Sequence, residues 1–456
     1  MEGQINLQEG FGVSSLADLG ELRKALDIGY QMPATGTGFD ALRVESLEAT
    51  LKLLTYSATN IKLWNMIPKT DAYSTVEEYN RLLEYGGQGG GFTQSGELPQ
   101  EEDSTYERTN QLVKYLGTTR AVNHPATLVR TVPADIIAQE TSNGALWLMG
   151  KANNGLYYGD ADAVPVEWNS LTKQIEGGAG HVIDCEGAPL TKEQVELGAY
   201  LVAENFGVPM KLFSNNKVFS DFSNYYNQYQ RFSAGQVGPV GTPVTSVQTS
   251  SGLVGFEPDT FVKTGTTPPL SANSTKAPNT PTVTPAAATG TASPKFKTTD
   301  AGDYKYAVSA VNQYGESAAT ALSSAVTVAT TQMVPLTIAD QGGTFPATAY
   351  KVYRTEKNGA VAYFIGYVVP RAKSGGVYVN STVWNDQNVY RPNTFIGLML
   401  DLTQQSLTFK QLSPMIKMQL AIVSPSIRWM QLLYGTPIVF APKKNVVFRN
   451  IGKASG

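Results

Sequence analysis

The chain has one cysteine, Cys185, and two histidines, His124 and His181, in 456 residues. A single cysteine excludes an intrachain disulfide and fits synthesis in a reducing compartment. So few histidines count against an enzyme, because imidazole is the commonest acid–base and metal-binding side chain. Charge is scarce as well: 16% of residues, against a usual share of about 25%. The formal net charge is −3, whereas a dedicated nucleic-acid binder is strongly basic. No apolar run reaches the roughly 18 residues of a membrane helix. The opening "MEGQINLQEGFG" has neither a basic nor an apolar leader region, so no secretory signal is expected.

What is present can build cores. Hydrophobic residues are 42% and aromatics 10%, too much apolar material for global disorder. Glycine (43) and proline (25) are plentiful, as are Tyr, Thr, Ser and Asn, a mix suited to β-structure and extended loops. The length suggests roughly two to four domains. A sparsely charged chain that still folds fits either a protein whose surface is covered by partners or a plain β-rich monomer.

Along the chain, residues 1–38 read as an extended arm with a short helix. Leu42, Leu47, Leu51 and Leu54 then follow an amphipathic helical spacing behind a capping Asp40. Residues 80–125 read as a long two-stranded excursion, with a glycine-rich joint at Gly86–Gly91 and an acidic tip at Glu101–Asp103. A hairpin of that length is marginal alone and needs another surface to lie on. Next comes a helix of about 25 residues, with Thr131 as cap, Pro133 in the first turn and Asp135 at the positive end. Its stripe is Ile137, Thr141, Ala145, Leu148, Ala152 and Leu156, with Leu148 and Leu156 expected against a sheet holding Val439 and Val447. Residues 182–262 turn to mixed α/β: a helix capped by Thr191, a strand in "PMKLFSNN", an aromatic helix, and a strand–turn–strand. Residues 263–294 are almost wholly Thr, Pro, Ala, Ser, Gly and Asn, the composition of a linker. Alternating strands follow to about residue 392, and the earlier style returns from Phe395.

No catalytic or metal motif survives inspection. "GALWLMGKA" lacks the phosphate-loop spacing and its Ser/Thr, and it falls inside a helix whose N–H groups are already used. "GDADAVPVEW" is too short for a calcium loop and reads as an acidic turn at a helix end. His181, Asp184 and Cys185 lie close in sequence, which reads as a structural group more readily than as Cys–His catalysis. No cofactor and no metal are expected.

The information lies in the order of elements: arm, β excursion, long helix, α/β domain, then a return through "YGTPIVFAPKKNVVF". That order resembles the major capsid proteins of tailed bacteriophages, the Hong Kong 97-like fold. The resemblance implies an α+β protein with these parts: N-terminal arm 1–38, start of the peripheral domain 39–79, extension loop 80–125, peripheral domain with spine helix 126–181, axial domain 182–262 and 393–420, and peripheral return 421–456. It implies a passive, non-enzymatic wall that assembles with itself into hexamers and pentamers, closing an icosahedral head shell around double-stranded DNA in the virion. Scaffolding, portal and decoration proteins would be partners, DNA would be touched non-specifically, and no membrane would be involved. Candidate inter-subunit contacts are Glu97, Glu101, Glu102 and Asp103 on the acidic tip, and Arg108, Lys114 and Arg120.

Residues 279–392, after a linker at 263–278, interrupt this order. "YKYAVSAVNQYGES" resembles the penultimate strand and turn of an immunoglobulin or fibronectin type III module, through Tyr304, Tyr306, Val308, Ala310, Asn312, Gly315 and Ser317. "AYKVYRTEKNGAVAYFIG" resembles middle strands of that fold but comes later, so the strand order departs from it and the expectation is an all-β sandwich. The Pro/Thr-rich linker implies freedom for this segment, which is expected to stand outward and be dispensable for closure. Its candidate surface residues are Asn312, Tyr314, Lys357 and Asn358, suited to weak repeated contact with host-surface glycans or a decoration protein. The alternative reading is another virion or cell-surface structural or adhesion protein that uses this module for binding.

Overall fold

A computed structural model describes residues 55–87, 92–98, 101–128, 135–226, 244–290, 296–370, 381–421 and 424–454. The arm and the helix of Leu42, Leu47, Leu51 and Leu54 lie outside these residues, as do Thr131 and Pro133. The long helix is Ile136–Tyr158. Asp135 caps it, its carboxylate accepting from the N–H groups of Ile137 and Ala138, two of the donors that every helix start leaves open. In the stripe, Leu148, Ala152 and Leu156 are fully buried, while Ile137, Thr141 and Ala145 are half-buried. Gly144 joins the buried face because a Cβ there would collide with the Gln431 amide. That close approach lets Gln431 Nε2 donate to Thr141 O at 2.8 Å, fixing the helix on the strand beneath.

That strand, Ser426–Val439, lies in a four-stranded sheet ordered Lys69–Asp71, Leu407–Gln419, Ser426–Val439, Lys114–Asn123. A six-stranded sheet runs His181–Asp184, Val446–Ile451, Phe395–Leu400, Lys211–Ser214, Gly252–Pro258, Ser246–Thr249. Helices Lys192–Glu204 and Asn216–Tyr226 pack on it through Val195, Ala199, Val202, Phe219 and Phe222. The first of these starts on a reciprocal capping box between Thr191 and Gln194, which satisfies two open donors at once. One core joins the long helix to both sheets, uniting Leu156 and Tyr157 with Phe409, Val439, Val447 and Leu398. Leu156 shares this core with Val439 and Val447; Leu148, expected there too, is fully buried but lies outside it.

The β excursion divides where the sequence shows one continuous alternation. Val76–Glu84 pairs with Thr105–Leu112 as a hairpin. Lys114–Asn123 leaves it and pairs along its whole length with Ser426–Val439. Buried Val113 marks the change, its N–H donating to Thr75 O at 2.9 Å. The projection is therefore 76–112, in place of 80–125. Both halves alternate in the same way, and only the distant strand distinguishes their partners.

Between Val262 and Phe395 the described residues build a β-rich unit with one short 3-10 turn, Thr298–Asp300. One sheet runs Gly315–Glu316, Tyr306–Asn312, Ala349–Thr355, Ala362–Val368. Facing it, Gln332–Ala339 pairs with Ser381–Asp386, Thr289–Gly290 and Thr282–Pro285. Between them lies a separate core that includes Tyr306, Val308, Ala310, Leu336, Val352 and Ile365. The expected freedom of the linker is overturned. Residues 263–278 have no regular structure, yet Thr266 O accepts from Phe364 N, Pro269 O from Ala319 N, and Asn273 N donates to Glu316 O. Pro and Thr discourage helix and ladder, but their carbonyls remain acceptors for strand edges.

Leu148→Ala removes a fully buried side chain from the joint between helix and sheet. We expect it to cost about 2–5 kcal/mol, read as a lower denaturant midpoint at unchanged slope. A loss below about 1 kcal/mol would show that the site collapses around the cavity.

Candidate functional site: the hairpin and the inserted segment

Register gives the hairpin two unlike faces. Tyr79, Arg81 and Thr109 turn toward the body, where Tyr79 meets Phe440 edge-to-face at 5.0 Å. With Lys173, Gln174 and Pro442 they line a cleft of about 290 Å³. Within it Arg81 donates to Thr109 Oγ1 at 3.1 Å and pairs with Glu107 at 3.4 Å. The opposite face carries two apolar cross-strand pairs, Val76 with Leu112 and Leu82 with Tyr106, all exposed. Towards the tip Leu83, Tyr85, Phe92 and Leu98 are exposed too. Exposed apolar side chains gathered along one strand pair are the kind of feature that marks association surfaces.

Glu97, Glu101, Glu102 and Asp103 are all exposed at this tip. Glu102 folds back, accepting from Gly87 N at 2.6 Å, where a Cβ on Gly87 would strike its carboxylate. Residues 88–91 of the glycine-rich joint lie outside the described residues. The basic candidates are used locally. Arg108 pairs with Glu78 across the hairpin. Lys114 donates to Pro165 O at 2.6 Å, and Arg120 meets Glu140 of the long helix at 3.4 Å. Among the described residues, Glu97, Glu101 and Asp103 make no ion pair within the chain.

The four candidates on the inserted unit do not form one site. The register Tyr306↔Arg354 to Val311↔Ala349 sets Asn312 and Tyr314 at one end and Lys357 and Asn358 at the other, about 20 Å of strand apart. Asn312 is buried and holds its own turn, accepting from Tyr314 N and Gly315 N and donating to Lys276 O. Tyr314 is half-exposed beside Phe345, with the Lys276 ammonium 5.4 Å from its ring. At the far end Lys357 donates to Thr299 O, and Asn358, in left-handed backbone, exchanges bonds with Asp303.

The groups weighed as chemistry are structural. Burial, with Asp184 beside it, pushes the Cys185 thiol up to about 12, far from a thiolate nucleophile. Burial lowers the His181 pKa, and its Nε2 lies 2.9 Å from the Asn205 amide. Asp160 caps its own turn and, with Asp162, holds Lys173.

Sequence reading missed a charged cluster inside the inserted unit. Arg354 is 1% exposed, donating to Asp386 at 2.6 Å and to Asn388 Oδ1 at 2.5 Å between the rings of Phe296 and Tyr304. Burial alone would lower its pKa; Asp386 outweighs that and keeps it charged. Asp300 takes a two-pronged pair from Arg391, at 2.7 and 2.8 Å. The visible signal was an arginine inside the apolar run "AYKVYRTE" and the polar "NDQN" that answers it.

No family model matches the chain. Curated relatives span nearly all of it. The putative major capsid protein of Enterococcus phage phiEF24C is 26% identical over 450 residues, 94% of each chain. The major capsid protein of Staphylococcus phage K is 24% identical over the same span and coverage. Among solved structures, the capsid of cyanophage P-SCSP1u is 8% identical with a TM-score of 0.46, over 91% of this chain and 95% of that one. The resemblance drawn from the order of elements therefore holds at the level of relatives: the chain is similar to phage major capsid proteins from end to end.

One pair in the inserted unit responds to pH in a defined direction. Glu316 accepts from Lys351, Tyr353 and Ser309, each at 2.6 Å. Burial would raise its carboxyl, but Lys351 and the two hydroxyls outweigh this and hold it below the ordinary value. A depressed carboxylate contributes stability above its unfolded pKa and loses it as pH falls through the folded value. Glu316→Gln should therefore cost about 1–3 kcal/mol near neutral pH, and the gap to the parent should close below about pH 4. Urea unfolding at both pH values measures it; a gap that persists in acid would assign the effect to shape.

Proposed function

We propose, from kinship with phage major capsid proteins, that this chain is the major capsid protein of a tailed bacteriophage. Many copies close an icosahedral shell of hexamers and pentamers around double-stranded DNA, and the chain's place is in the capsid of the virion. The observation that carries the reading is an end-to-end relationship, 94% of each chain, in a molecule whose hairpin leaves apolar residues exposed. On the Hong Kong 97-like plan, hairpin 76–112 is the extension loop and Ile136–Tyr158 the spine. The four-stranded sheet belongs to the peripheral domain and the six-stranded sheet to the axial domain.

The physics suits a wall. Val76, Leu82, Tyr106 and Leu112 would be buried on a neighbouring copy, and the acidic tip would meet its cations. Rotational symmetry repeats each contact around a ring. A single exposed ion pair is worth about 0.2–1 kcal/mol, but every copy makes several contacts at once and they reinforce one another. A net charge near neutrality lets packed DNA lie against the wall without being gripped. Scaffolding, portal and decoration proteins are the further partners of such a shell, and no catalytic step is assigned.

Purified chain imaged by electron microscopy should yield closed shells of uniform size; a monodisperse monomer under all assembly conditions would count decisively against the reading. Two variants test the hairpin. Leu82→Asp should reduce shell yield severalfold at unchanged monomer stability. Alanine at Glu101, Glu102 and Asp103 together should weaken assembly more at low salt than at high, because screening already removes most of the term at high salt. Shells of parental yield and heat resistance from both variants would show that the hairpin is not a contact.

A further inference from the structure

We infer that the inserted β-rich unit is a brace: it ties together two turns of the body and stiffens the subunit that carries it. A module on a free linker would touch its host at its ends only. This one lies along its host. At one end Thr348 Oγ1 donates to Ala163 O at 2.7 Å, and Val311 and Ala349 pack on Ala163, in the turn that follows the long helix. Midway, Tyr390 OH donates to Glu176 Oε2 at 2.8 Å, with Arg449 stacked 4.6 Å from the Tyr390 ring and paired with Glu176 at 2.9 Å. At the other end the anchor is Asn450, buried and in left-handed backbone, which asparagine tolerates better than most residues. It accepts from Arg391 N at 2.7 Å and donates to both Val389 O and Asp184 Oδ1 at 2.9 Å. Lys297 adds an ion pair to Glu186.

Arg391 is the hub of that end. Its backbone is held by the body through Asn450, while its guanidinium grips Asp300, which also accepts from Asn388 at 3.2 Å. Asn388 in turn meets Arg354 and, through its N–H, Asp386. The chain of bonds therefore runs without a gap from the body turn at Asp184 and Asn450 into the core of the unit. Buried polar groups of this kind must all be matched, so loosening one member exposes the rest.

The inference is independent of shell closure and is tested on the full-length chain kept below its assembly concentration. Amide exchange is read at Gly187, Gly452 and Val164, which donate within the body to Asn450 O, Ala188 O and Asp160 O. Arg391→Met should speed exchange at Gly187 and Gly452 about tenfold or more, and Thr348→Ala should speed it at Val164 only. Tyr314→Ala, which removes a half-exposed ring that makes none of the bonds named at either joint, should change none of them. If Arg391→Met does not accumulate folded, Tyr390→Phe gives the same reading through the amides of Leu171–Gly177. Unchanged exchange at all body amides, in variants whose inserted unit has itself lost protection, would overturn the brace and leave an appendage.

Discussion

A buried carboxylate ties the long helix to two other parts of the body. Asp259 is fully buried, and a buried charge is tolerable only when its lone pairs are matched. Asn153 Nδ2 reaches it at 2.9 Å and Tyr157 OH at 3.0 Å. These are neighbours one turn apart on the long helix, so the helix must present that face and no other. Phe261 N donates to the second oxygen at 2.9 Å. The other end of the Asn153 amide accepts from Trp64 N at 2.8 Å. Burial and the adjacent carboxylate push the Tyr157 hydroxyl well above its ordinary pKa, so it remains a donor. One side chain thus fixes the helix, the segment that enters the body at 61–67, and the chain at the point where it leaves for the inserted unit.

That exit point explains how a unit of about a hundred residues, an ordinary sandwich size, can sit inside another fold. Gly252–Pro258 runs parallel to Lys211–Ser214, and Phe395–Leu400 runs antiparallel to it on the other side. The chain therefore leaves and returns at the same end of the sheet, two strand spacings apart, about 10 Å. An insertion there leaves every ladder bond of the sheet in place. Tyr158 OH, bonded to Lys263 at both O and N, and Asn215 Nδ2, donating to Val262 O at 2.5 Å, then fix the direction of departure.

Local features were legible in the sequence because local physics decides them. The Leu148–Ala152–Leu156 stripe follows from helical period. The Thr191 cap follows from the need to satisfy open N–H groups, and strands such as Ala349–Thr355 and Ala362–Val368 from their apolar, β-branched and aromatic content. The failures share a cause. Lys114–Asn123 alternates just as Thr105–Leu112 does, and its partner lies some three hundred residues away, where no local signal reaches. Asn312 and Lys357 are both polar residues in turns; only the register of two strands shows that one is buried and that they stand at opposite ends. The linker composition of 263–294 hides two strands, Thr282–Pro285 and Thr289–Gly290; residues 263–278 do lack helix and strand, but absence of a ladder is not absence of bonds.

The same distinction separates two kinds of surface on this molecule. In the inserted unit the polar groups converge inward. Arg354, Asp386, Asn388, Asp300 and Arg391 bond to one another. On the hairpin the polar groups are satisfied locally, by Arg108 on Glu78 and Glu102 on Gly87, while the apolar groups are not. Water can serve a carboxylate at the tip, but it cannot serve Leu82, Leu83, Tyr85, Phe92 and Leu98 together without cost. A surface whose apolar area is open gains by association. The charge share of 16% suits the reading proposed above, in which copies of the chain cover such a surface.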